Sequence, residues 1–143
     1  MARAVVDLGP IVRQQVEALG IPVVGELLAE RARQDEKWGQ QDHPDLGHDI
    51  DLVNDWDGGP DVEAAAEYYG LPFPDEIKRL VDQAADDGTS SWVGIATEEL
   101  VEAMEAAAQG NPDAVRTEVI QLAAVCVAWV QAIDRRRAGG EAR

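Results

Sequence analysis

The sequence predicts an all-α fold, a helical bundle in a single domain spanning residues 1–143. Three observations carry that prediction. Alanine recurs in runs at 64–66, 106–108 and 123–124, which suits helices packed closely against one another. Proline and an acid stand together at Pro60-Asp61, Pro74-Asp75 and Pro112-Asp113, the pairing that helix starts favour. No stretch alternates apolar and polar residues with the period of a strand, and no internal repeat is evident.

Taken in order, Gly9-Pro10 opens a first helical segment to about Leu19. Gly20-Ile21-Pro22 breaks it before a second helix over 23–37, with Leu27, Leu28 and Ala32 as its apolar stripe. Between Gly39 and Pro60 six aspartates (Asp42, Asp45, Asp49, Asp51, Asp55 and Asp57) and several glycines predict an acidic loop or lid, near 39–60, with little regular structure. A short helix follows Pro60-Asp61 and ends near Gly70; another runs from Pro74 to about Asp86. Ser90 or Ser91 caps the next, which ends at Gly110. Asn111-Pro112-Asp113 then supplies a cap, a first-turn proline and an acid for a final helix reaching about Arg137, before Gly139-Gly140.

The formal charge of −16 argues against nonspecific binding to nucleic acid or to an anionic membrane, since both depend on clustered Lys and Arg. Apolar residues make up 45% and aromatics only 5%, so a solitary core has few large side chains to build on. Cys126 is the single cysteine and excludes an intramolecular disulfide; between Val125 and Val127 it reads as a buried thiol. No apolar run is read as long enough to span a bilayer, and the first residues lack a secretory apolar segment. A cytoplasmic location is therefore expected.

The chemistry concentrates in two places. Glu98, Glu99 and Glu102 lie in one acidic run, and Glu118 with Gln121 follows on the next helix. Residues three or four apart on a helix are neighbours, about 5–6 Å between Cβ atoms, so Glu99 pairs with Glu102 and Glu118 with Gln121. A Glu run near a helix start ordinarily lies on a solvated face and complements the dipole. Glu118 and Gln121, however, stand at the front of residues 122–130, the most apolar stretch of the chain, where an acid needs a partner. Facing each other across a helical hairpin, the two pairs would offer carboxylate oxygens to a hard divalent cation. The second place is the run Arg33-Gln34-Asp35-Glu36-Lys37-Trp38-Gly39-Gln40-Gln41-Asp42-His43-Pro44. There Arg33 and Lys37 suit phosphate oxygens, Trp38 suits a flat base, and Gln40 or His43 suits base edges or sugar hydroxyls. The plainer alternative is a helix end covered by an amphipathic Trp, with a turn at Gly39.

Together these clusters resemble the MazG-like branch of the all-α nucleoside triphosphate pyrophosphatases. That family carries EExxE on one helix and ExxD on the next. Glu98-Glu99-Leu100-Val101-Glu102 matches the first motif, and Glu118-Val119-Ile120-Gln121 matches the second except at its last position. Trp92 and the Lys37-Trp38-Gly39 segment also look like short members of the family, phage and actinobacterial ones included. The resemblance covers roughly residues 25–135, more weakly over 45–90.

The resemblance implies Mg2+- or Mn2+-dependent hydrolysis of a nucleoside triphosphate, typically a deoxynucleotide, to the monophosphate and pyrophosphate. By that analogy Glu99, Glu102 and Glu118 ligate metal and Gln121 takes the place of the fourth acid, its amide oxygen bringing no charge. Glu98, with Glu99, would hold or deprotonate the attacking water. Arg33, Lys37, Trp38, Gln40 and His43 would contact the nucleotide. Relatives share helices between subunits, so a homodimer or homotetramer completing the site is expected. His43 and His48 do not form the Glu-x-x-His pairs of di-iron bundles. The competing readings are a binding protein of the same fold without turnover, and an acidic decoy of a DNA-binding protein.

Overall fold

The computed structural model describes residues 21–53 and 58–140, together with Gly9. These residues are all-helical: α1 (Ile21–Trp38), α2 (Val62–Tyr69), α3 (Pro74–Asp87), α4 (Trp92–Ala108) and α5 (Pro112–Ala138). Among the described residues the β structure is a single antiparallel bridge between Val53 and Pro60. The helical segment expected over 10–19 lies outside them, as do Asp55 and Asp57 of the acidic loop. The chain divides into two compact units, one reaching Asp42 and the other beginning at His43.

In the first unit, α1 starts at Ile21, two residues before the expected position. Pro22 does not break it, because a proline in the first turn lacks only an N–H that would have no partner there. Val23 is buried, whereas Leu27, Leu28 and Ala32, expected as an inward stripe, are exposed. The polar side is laced by neighbours one turn apart: Arg31 with Asp35, and Arg33 with Glu30 at 2.7 Å. Pairs of this kind, open to water, contribute little to stability. Gly39 takes φ +67 and closes the helix, its N–H donating to the Asp35 carbonyl at 2.8 Å.

The second unit is built on α4. That helix contributes Val101, Met104 and Ala108 to a buried cluster that Ala65 and Ala66 of α2 and Ile77 of α3 complete. The alanines let the α2 backbone approach closely, which is how a chain so poor in aromatics still closes a core. Leu46, Ile50 and Leu52 pack against the same cluster, so the acidic loop is pinned by its apolar members. The Gly47 N–H also donates to the Tyr69 hydroxyl at 2.7 Å.

The helix starts follow their sequence signals. Asp61 accepts from Ala64 N–H, Ser91 rather than Ser90 accepts from Gly94 N–H, and Asn111 accepts from Ala114 N–H, at 2.9, 3.1 and 3.1 Å. At α3 the Glu76 carboxylate reaches back to accept the Phe73 N–H at 3.1 Å. Each such cap satisfies a backbone donor that the helix itself leaves orphaned.

α5 departs from the sequence reading. It makes its principal contact with α4, yet along its whole length only Ala132 is buried. Val119, Ile120 and Val130 are exposed. So is Cys126, which the sequence placed in a core. Val125 and Val127 on either side of it are half-buried, so that part of the helix is covered only in part. Nor does the expectation of no bilayer-length run hold by length and composition. Pro112–Ala138 is long and apolar enough to cross a membrane by length and composition alone.

Candidate metal centre

Residues 98 to 102 occupy the middle of α4, and Glu118 lies two turns into α5. α4 buries Val101 completely and turns Glu98, Glu99 and Glu102 away from that core. The α4–α5 contact then brings Glu118 to the α4 acids. One carboxylate oxygen from each of Glu99, Glu102 and Glu118 lies within 4.8 Å of the other two, and all three side chains are half-buried.

Three like charges at this spacing repel, and burial removes the water that would screen them. Partial burial, then the charges of Glu102, Glu118 and Glu98, push the Glu99 carboxyl above its ordinary value. Glu102 is raised by burial first and by Glu118's charge second, with a hydrogen bond to Glu118 adding to the rise and Lys78 opposing it. Glu98 is also raised, by burial and then by Glu102 and Asp82, again against Lys78. Oε2 of Glu99 and Oε2 of Glu118 are buried without a hydrogen-bond partner. Buried carboxylate oxygens without donors cost free energy unless a proton or a cation meets them. The donor set is all oxygen and anionic, the chemistry that holds Mg2+ or Mn2+ rather than a soft metal. The residues therefore fit such an ion.

The structure thus brings together three of the four residues that the sequence assigned to metal. Gln121 follows Glu118 by one turn of α5 and is exposed. Glu98 stands outside the triad. The α3 contribution, Lys78 and Asp82, escaped sequence reasoning: neither belongs to a motif, and only the packing of α3 on α4 makes them neighbours of the acids.

The residues assigned to nucleotide binding divide between the units. In the first, Arg33 is held by Glu30, and Lys37 lies over the Trp38 ring, 4.5 Å from its centroid. Trp38 is 55% exposed. Gln40 donates to Asp42 at 3.0 Å. His43 is exposed at the start of the second unit.

The second unit holds an apolar groove of about 470 Å³. Leu100, Ala103 and Met104 of α4 and Val115 and Val119 of α5 line it, with Tyr69 and Leu71 at one end. Comparison of the chain with protein-family models, with curated proteins and with solved structures finds no match.

Proposed function

We propose that this protein is a MazG-like nucleoside triphosphate pyrophosphatase, hydrolysing a nucleoside or deoxynucleoside triphosphate to the monophosphate and pyrophosphate. The observation that carries the reading is the convergence of Glu99, Glu102 and Glu118, two of them with a buried oxygen awaiting a partner. In this reading the three carboxylates hold Mg2+ or Mn2+, and Gln121 adds a neutral amide oxygen. The bound ion would supply positive charge against the triphosphate and make a ligated water more acidic. Glu98, sharing the task with Glu99, orients the attacking water and takes its proton as oxygen bonds to the α-phosphorus. The α–β bridging bond breaks, and pyrophosphate leaves. A carboxylate raised by burial is a better base at neutral pH than one in water, which suits Glu98 to the role. Trp38 stacks on the base while Lys37 and Arg33 meet phosphate oxygens.

The bare apolar side of α5 supports the further expectation of a homodimer or homotetramer, in which a second copy covers that face. A binding protein without turnover is the second reading, favoured by the neutral Gln121 at the fourth position. Purified protein assayed for pyrophosphate release from eight nucleoside triphosphates, with Mg2+ and with Mn2+, separates the two. Release from at least one supports the enzyme; nucleotide binding without release from any supports the binding protein.

A further inference from the structure

α5 packs on α4 with the face that carries Glu118, Val125 and Ala132, which are half-buried or buried. On the opposite side Arg116, Ile120, Ala123, Val127, Val130 and Asp134 follow one another at spacings of 4, 3, 4, 3 and 4 residues. With 3.6 residues per turn, that keeps all six within about 40° of one line along the helix. All are exposed except Val127, which is half-buried. The line has a charge of opposite sign at each end and apolar side chains between. It is also symmetric about Val125: 116 with 134, 120 with 130, and 123 with 127 stand equally far from it. Neither end charge serves its own helix, whose dipole favours acid toward the start and base toward the end. Among the described residues neither Arg116 nor Asp134 forms an ion pair.

We propose that this face seats the α5 of a second copy, antiparallel and centred on Val125, so that Arg116 of each chain pairs with Asp134 of the other. The inference rests on the expectation that a second copy covers α5, and commits that copy to one direction and one register. Charge decides the direction. A two-fold relation runs the helices oppositely and sets Ile120 against Val130 and Ala123 against Val127, between two Arg–Asp pairs. Parallel helices in register would instead set Arg116 against Arg116 and Asp134 against Asp134, a repulsion at each end. The alternating spacing of four and three is that of helices packed side by side at a shallow angle, and Ala123 beside the centre lets the two backbones approach. Glu118 follows Arg116 by two residues, about 200° round the helix, so the acid cluster of each copy stays on the side away from this seam.

Sedimentation equilibrium of the full chain at low ionic strength tests this in wild type, Arg116→Glu, Asp134→Arg and the two combined. Both positions are exposed and each new charge suits the helix dipole at its end, so circular dichroism should show unchanged helix content. Either single reversal puts like charges together at both ends and should weaken dimerisation roughly tenfold or more. The double variant restores two pairs of opposite sign and should recover most of the wild-type association. Added salt should weaken the wild-type dimer and narrow its lead over the single variants. Single variants that associate as wild type does, or a double variant no tighter than the singles, overturn the antiparallel register while leaving association itself. A wild-type monomer overturns both, and co-sedimentation of that monomer with phosphatidylcholine vesicles would give the face to a bilayer instead. None of these outcomes depends on turnover.

Discussion

Among the described residues Glu99 and Glu118 each bury a carboxylate oxygen without a hydrogen-bond partner, and under the proposed metal reading stability should depend on pH in a sense that a bound ion reverses. Glu98, Glu99 and Glu102 are all raised above their ordinary 4.5. The folded chain therefore binds more protons than the unfolded chain from about that value upward, so the contribution to stability is fully present below it and is lost as pH rises through the raised values. Metal-free protein should accordingly melt at a higher temperature at pH 5 than at pH 7, as far as these groups decide it. Glu102→Gln should raise the metal-free melting temperature at pH 7 by a few degrees, abolish the further rise that Mn2+ gives wild type, and lower turnover roughly a hundredfold or more. Thermal scans with chelator and with Mn2+ check all but the last. A Glu102→Gln variant that melts lower than wild type without metal would return that residue to a structural role. Gln121→Asp asks a second question of the same site. If Gln121 lies against the ion, the added charge should strengthen Mn2+ binding in calorimetry, and unchanged affinity would exclude it. The acids were legible because EExxE and ExxQ put them at helical spacing. The separation of Glu98 from the triad was not, since it depends on how α4 and α5 pack.

At the scale of helices, the starts could be read because caps are local chemistry: Asp61, Ser91 and Asn111 each accept the N–H three residues on. α1 began earlier than expected because the pattern Gly-Ile-Pro reads equally as a break or as a first turn. α5 shows the sharper limit. Hydrophobic periodicity says which face of a helix avoids water, but not which body covers it, so residues 122–130 read as core and are in good part bare. If a second copy covers that face, wild type should sediment as a dimer or tetramer, with Cys126 slow to react with a soluble thiol reagent. Ile120→Glu, which places a charge on exposed apolar surface, should shift it toward monomer and speed the labelling. A wild-type monomer with a fast-reacting Cys126 would refute the expected association.

For the whole molecule, Arg33, Lys37, Trp38 and Gln40 belong to the first compact unit, whereas His43 and the acids belong to the second. Sequence spacing could nominate each but could not join them, since no motif spans the distance. Function is the measurement that can. Trp38→Ala should raise KM several-fold while changing kcat less, because a stacked base is remote from the reacting phosphorus. An unchanged KM would restrict Trp38 to its contact with Lys37. The triad, by contrast, is assembled over a very short length of chain: Glu102 and Glu118 are sixteen residues apart and are joined through a turn closed by Gly110 at φ +68. Little loop entropy is lost in bringing them together, so we expect contacts of this kind to form ahead of the pairing of α2 and the acidic loop with the core. The ion's binding site would then already exist in the transition state for folding. In a chevron experiment, Mn2+ should therefore speed the refolding limb more than it slows unfolding, the signature of an interaction made before the barrier is crossed.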